Sequence, residues 1–356
     1  MMKKLTCALL ALMMILAAAS ACAETFTISM VGDCTVGAQY KYQNYKSSYI
    51  TKITQSGLDY PFSLFADMFG KDDLTLANCE GVFTTRKLKA GAKEMSLCAP
   101  PEFAEVFKLG NVDVCNLANN HGKDFGTQGL EDTRAALDAQ GIDHFGFEET
   151  LVLEVKGVTI GFVGYTYPIE DAKLKQYKEK IDALRAAGCT FIIASAHWGK
   201  EESLNINVQQ RNGAPALIDM GADLVYGHGS HTLHPIRIYK GKVICYSLSN
   251  FTFGANAAPK DSDTAVVQLT YDMGEDGALT AAEVTAIPCK MHMDKDFRPY
   301  PIEDPEAWQK CLNKLIFYKS KDPDSCLPEE FKTTGHADIR AVVAQQLAEL
   351  SGEAAE

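Results

Sequence analysis

The chain has no Cys-x-x-Cys pair, no large block of clustered Lys and Arg, no internal repeat, and nothing in its tail that reads as a wall-binding repeat. Each absence removes a class of protein. The eleven cysteines do not describe a disulfide framework. Cys115, Cys189 and Cys245 fall inside apolar runs, where a buried free thiol is the plain reading. With 46 acidic against 34 basic residues and a formal charge of -12, the surface repels nucleic acid and anionic lipid. Without self-similarity at a period of roughly 20–50 residues, the chain is no solenoid or propeller.

What is present starts with size. At 356 residues and 46% hydrophobic, the chain can bury the core of one large α/β domain or two small ones. Lys3 and Lys4 precede an apolar stretch over 5–19, followed by Ala21-Cys22-Ala23 and then Glu24. That layout predicts a secretory signal peptide over 1–23 and a location outside the cytoplasm, secreted or on the outer face of the membrane. A membrane anchor is the competing reading, against which the stretch is short and ends in small residues. Lipidation at Cys22 is a variant, although Ala19-Ser20-Ala21-Cys22 lacks the usual Leu.

Apolar runs over 26–31, 74–77, 112–117, 190–196 and 223–226 predict strands, with helices expected over 61–69, 101–109, 127–139, 172–187 and 209–220. Two hairpins are expected, 151–155 with 158–163 around Lys156-Gly157, and 236–239 with 243–248 around Lys240-Gly241. Alternating strands close the domain over 265–271 and 281–287. The reading is one α/β domain over 24–290, with a mixed sheet or two, and a charged helical extension over 291–356.

Polar residues gather where these strands end: Asp33, Asn78 with Glu80, Asn119-Asn120-His121 with Asp124, His197, and His228 with His231. Open α/β sheets put ligand sites at such ends. Mixed imidazole and carboxylate donors suit Zn, Mn or Fe, one ion or two. Two such ions can activate a water and clamp a phosphate in line. Asp124 lies three residues after His121, close enough to fix its tautomer; the competing reading has both residues capping the helix that begins near Thr127.

The segments VGDCTVG, ANCEG, NLANNHGKDFG, AHWGKE, GHGSHTLHP and YSLSNFTFG, in that order over 31–254, resemble the successive motifs of the CapA family of poly-γ-glutamate capsule proteins, a branch of the calcineurin-like metallophosphoesterases. The resemblance implies a layered sandwich of two mixed β-sheets flanked by helices. It also implies a ligand set: Asp33, Glu80 in the place of a bridging carboxylate, Asn120, His197, His228 and His231 for metal. His121 would act on the leaving group or oxyanion, with Asp124 behind it. Asn78 and Asn250 are candidate substrate-binding residues, with a turn role as the other reading of Asn250. Classical relatives carry a His shortly after the first Asp, where Cys34, Thr35 and Val36 stand, and space the terminal His pair by two, not three. Cys34 reads as a core residue, with a thiolate ligand as the alternative. Trp198 and Phe251 read as packing residues, His234 as a loop residue, and Lys123 and Lys200 as solvated bases. Two functions follow from the resemblance: a metal-dependent hydrolase acting on an anionic polymer or phosphoester, and a capsule-assembly factor within a membrane synthesis complex.

Overall fold

In strand β1 (Glu24–Thr35) side chains alternate between two apolar environments, as a period of two requires. Phe26, Ile28 and Met30 enter one cluster and Val31 another, which Cys34 joins past a register shift between Met30 and Asp33. This is the central strand of a computed structural model that describes residues 24–89, 95–166, 171–256, 258–274, 277–291 and 296–316. The expected signal peptide over 1–23, with Cys22, and the tail beyond 316 lie outside the described residues.

The further strands are β2 (Ala38–Gln39), β3 (Leu74–Cys79), β4 (Val82–Phe83), β5 (Leu97–Ala99), β6 (Val114–Asn116), β7 (Asp143–Phe145), β8 (Thr150–Val155) and β9 (Val158–Thr166). They continue with β10 (Phe191–His197), β11 (Leu224–His228), β12 (Leu233–Tyr239), β13 (Lys242–Leu248), β14 (Asn250–Phe253), β15 (Asp263–Met273), β16 (Leu279–Lys290) and β17 (Tyr300–Pro301). The longer helices are α1 (Tyr49–Ser56), α2 (Gly126–Gln140), α3 (Asp171–Ala186), α4 (Val208–Asp219) and α5 (Pro305–Ile316).

Beside a small sheet of order β2-β5-β4 stand two large ones: one runs β17-β16-β15-β1-β3-β6-β7, with β14 also paired to β1, and the other runs β12-β13-β11-β10-β9-β8. Both are mixed. β1, β3, β6 and β7 are parallel, while β15 and β16 run antiparallel. In the second sheet β9, β10, β11 and β13 are parallel, between antiparallel β8 and β12. The sheets face each other across Phe26, Ile28, Leu76, Phe162, Ile193 and Tyr226. Each side chain of this size contributes about 1.5–3 kcal/mol on full burial. Leu130 and Leu137 of α2 cover the outer face of the first sheet; Ile181, Leu184 and Leu217 of α3 and α4 cover that of the second. The layered sandwich of two mixed sheets flanked by helices is therefore the architecture.

Both expected hairpin turns form. Lys156 and Gly157 have φ of 48° and 77°, and Lys240 and Gly241 have 50° and 73°, the doubly left-handed turn that matches strand twist. Several expectations are corrected. Strand β1 does not stop at Gly32-Asp33 but runs on to Thr35, because β14 supplies a parallel partner for its last residues. The helices expected over 61–69 and 101–109 are each broken into a 3-10 turn and a short α-turn, Tyr60–Phe62 with Ala66–Phe69, and Pro101–Ala104 with Glu105–Leu109. His234 is no loop residue; it is buried in β12, where its Nε2 lies 2.8 Å from the Ser203 carbonyl. After Lys290 the chain adds β17 to the first sheet and packs Trp308, Cys311, Leu312 and Leu315 of α5 into the inter-sheet core. No helix among the described residues is long and apolar enough to cross a membrane.

Candidate metal centre

Parallel pairing brings distant residues to one edge. In β1 Asp33 is in register with Asn78 of β3 and Asn250 of β14, and in the second sheet His197 of β10 is in register with His228 of β11. Gly32 makes the close approach feasible, since a Cβ there would stand 2.1 Å from the Ser249 carbonyl oxygen. The sheets meet at this edge, where the Tyr226 hydroxyl donates to the Val31 carbonyl and the Gly229 N–H donates to Asp33 Oδ2 at 3.0 Å.

Asp33, buried, is shared by two groups of donors: Asp33-His197-His228 and Asp33-Glu80-His231, each with atoms within 4.8 Å of one another. In the first, His197 Nδ1 and His228 Nδ1 are 2.9 Å apart and stand 3.7 Å and 3.5 Å from Asp33 Oδ1. In the second, His231 Nδ1 is 3.2 Å from Asp33 Oδ2. Glu80 Oε1 also lies 3.7 Å from His197 Nε2, so the two groups adjoin. The residue common to both groups is Asp33, where the resemblance had put Glu80.

The electrostatics favour a cation. Burial pushes His228 down to about 3, helped by His231, and pushes His197 well below the ordinary imidazole value, so both present lone pairs. Burial opposes ionisation of Asp33, but hydrogen bonding and charge from His231, with His197 and Asn78, hold it below its usual value. Burial likewise opposes a proton on His231, yet Glu80 and Asp33 drive it up to about 10. A proton on His231 thus offsets part of the buried negative charge, a role a divalent cation would take with release of that proton. Two neutral imidazoles, a third imidazole and two carboxylates form a donor set suited to Zn, Mn or Fe. The residues present fit such ions.

Supporting side chains fix the ligands. Ser195 Oγ lies 2.8 Å from His228 Nε2, which leaves Nδ1 facing Asp33. Asn78 Nδ2 donates to Asp33 Oδ1 at 2.7 Å, and its Oδ1 accepts from Asn116 at 2.7 Å and Asn119 at 3.2 Å. Asn78, a candidate substrate-binding residue in the sequence, is fully buried and holds Asp33 from behind. Asn250 is in register with Asp33, and its Oδ1 accepts from His231 Nδ1 at 2.7 Å. His231 and Ser249 have φ of 58° and 63°. This left-handed conformation costs roughly 1–2 kcal/mol per residue, and here it lies at the site.

Asn120 is exposed, while Asn119 is buried with its amide on Asn78 and on the Cys79 carbonyl at 2.8 Å. His121 is buried at the same edge, its Nδ1 2.6 Å from Asp124 Oδ2, which also accepts from the Leu97 N–H at 2.7 Å. Helix α2 is not capped by this pair; its N-cap is Phe125, with no side-chain cap bond. Cys34 packs in the core, where burial raises its thiol well above the usual value and its Sγ lies 3.6 Å from the Gly32 carbonyl. Trp198 is buried with its indole N–H on the Tyr246 carbonyl at 2.9 Å, and Phe251 is buried in the core. Lys123 stands over the Phe147 ring and Lys200 is exposed. Sequence reasoning missed Ser195 and Asn116. Ser195 had a signal: it is a polar residue two before His197 in an apolar strand, hence on the same face.

Glu80, His121, His231 and Asn250 line one cleft of about 480 Å3. Around this geometry, residues 27–255 match the family described as Bacterial capsule synthesis protein PGA_cap. The chain is 31% identical over 313 residues to the PGA biosynthesis protein CapA of Bacillus subtilis (strain 168), covering 82% of this chain and 80% of that protein. It is 27% identical over 281 residues to the Capsule biosynthesis protein CapA of Bacillus anthracis, covering 71% and 65%. Among solved structures, it is similar to the NAD nucleotidase NadN of Haemophilus influenzae, at 13% identity and TM-score 0.44, over 93% of this chain and 67% of that one. With the motif order and most of the chain matched, this protein belongs to the family of bacterial capsule synthesis proteins, PGA_cap.

Proposed function

We propose that this chain serves poly-γ-glutamate capsule synthesis outside the cytoplasm, and that the cluster around Asp33 is a divalent-metal site that hydrolyses a phosphoester or related bond. The observation that carries this reading is Asp33 itself, whose two carboxylate oxygens each face a different set of donors. The names of the two Bacillus relatives support the capsule role. Residues 1–23 support export.

Asp33, His197 and His228 would hold one ion, and Asp33, Glu80 and His231 a second. Bound there, divalent cations would supply Lewis acidity and an activated water. The chain's own residues do the rest. Asn78 and the Gly229 N–H fix both oxygens of Asp33. Ser195 fixes the His228 ring. With Nδ1 turned to Asp124, His121 lines the cleft, where its ring would donate to a developing oxyanion or leaving oxygen. The test is a panel of aryl phosphomonoesters and phosphodiesters, assayed with Mn, Zn or Fe supplied. Turnover that disappears in Asp33→Asn supports the hydrolytic reading. A metal-loaded wild type that turns over none of the panel would leave the assembly role alone.

A further inference from the structure

The outer wall of the metal-site cleft comes from a part of the chain beyond the family-matched residues 27–255. That wall is α5. Trp308, Cys311, Leu312 and Leu315 are buried and fix the helix on the core. At 3.6 residues per turn, Lys310 and Lys314 project from the other side, one turn apart, and both line the cleft. Lys260 lines it too. Three ammonium groups thus converge on one mouth in a chain whose formal charge is -12.

Two of these cations are matched. Lys314 lies 2.6 Å from both Asp261 Oδ2 and Asp263 Oδ2, and Lys260 pairs with Glu202. Lys310 is exposed and makes no ion pair with a described residue. Glu201 also lines the cleft, and its like charge keeps a ligand anion away from that side. Met95, Leu97, Leu204 and Phe253 add apolar surface to the same cleft. The cleft therefore suits a ligand that carries both carboxylate-type anions and aliphatic groups.

We propose that Lys310 is a specificity-determining binding residue, taking one carboxylate of an acidic chain while a neighbouring unit lies at the Asp33-Glu80-His231 cluster. This rests on the capsule reading above, which supplies the polymer class: γ-linked glutamyl units place one carboxylate on each aliphatic repeat. Lys314, held by two aspartates, positions the helix and leaves Lys310 as the group that meets the ligand.

The test is isothermal titration of the mature, metal-loaded chain with a short oligo-γ-glutamate at low salt. Wild type binds; Lys310→Gln weakens binding about tenfold, as loss of one charge-assisted contact does, and Lys310→Glu weakens it further. Lys175→Glu, the same charge change on the exposed face of α3, leaves affinity unchanged. Equal affinity for wild type and Lys310→Glu overturns the subsite and leaves the capsule reading standing. A folded wild type that does not bind the oligomer overturns both. Inorganic phosphate that binds in place of the oligomer and depends on Lys310 would assign the subsite to a phosphoester and overturn the carboxylate.

Discussion

Ser195 and His121 play different parts at one edge, and single substitutions separate them. Ser195 sets which nitrogen of His228 faces Asp33. Ser195→Ala should therefore weaken metal affinity about 10–100-fold with the fold unchanged, measured by competition with a chelating dye. An unaltered affinity would show that the His228 tautomer is set elsewhere. His121 reaches the ions through substrate alone in this account. His121→Asn should keep metal and fold yet lose roughly 10²–10³ in rate on a phosphoester that wild type cleaves. A variant with lower melting temperature and full specific activity would return the His121-Asp124 pair to a structural role. The residue scale is also where the sequence was hardest to read. Asp33, Glu80, His197, His228 and His231 were legible as polar residues at strand ends. Which of Asn119 and Asn120 turns inward was not, because no periodicity operates in the loop after β6. Nor was the sharing of Asp33, which depends on two sheets meeting at one edge.

Elements are held at their ends by polar clamps. Arg185, at the end of α3, donates to the carbonyls of Cys189 at 2.9 Å, Thr190 at 2.7 Å and Gly221 at 2.9 Å, and pairs with Asp223. It ties α3 to the starts of β10 and β11, the two strands that carry His197 and His228. Arg185→Met should cost about 2 kcal/mol, since Asp223 keeps Lys242 at 2.6 Å. Urea denaturation reads this directly, and a loss within error would make the clamp ornamental. A second clamp gives a pH signature. Asp72 accepts from Ser29 of β1 at 2.6 Å and Gln268 of β15 at 2.8 Å, and burial raises its carboxyl to about 6 despite those bonds. The folded chain then holds a proton that the unfolded chain, at 3.8, has lost. Its contribution to stability accordingly falls as pH rises from about 4 to about 6. Asp72→Asn should flatten that decline in the urea midpoint, and an unchanged slope would refute it. Most strands and both hairpin turns were legible at this scale, because alternation and Lys-Gly turns are local signals. The broken helices over 60–69 and 101–109 were not, because tertiary packing of Phe62, Phe65, Phe103 and Phe107 overrides helical spacing.

Over the whole molecule, the metal-type edge is assembled from β1, β3, β10, β11 and β14, while α5 arrives from far along the chain to wall the cleft. Composition announced a charged tail but could not say that its apolar side, Trp308 to Leu315, completes the core. The proposed export is tested at the same scale. N-terminal sequencing of protein recovered outside the cytoplasm should start near Glu24 or show a lipid on Cys22, and an intact Met1 would contradict it. The central claim is that the Asp33 cluster holds divalent metal, and elemental analysis of the purified mature chain tests it most directly. Wild type should carry about one or two equivalents, Glu80→Ala about one fewer, and Asp33→Asn almost none, all with native circular dichroism. A metal-free wild type prepared with divalent ions present, or an Asp33→Asn chain that binds as much metal as wild type, would contradict the account.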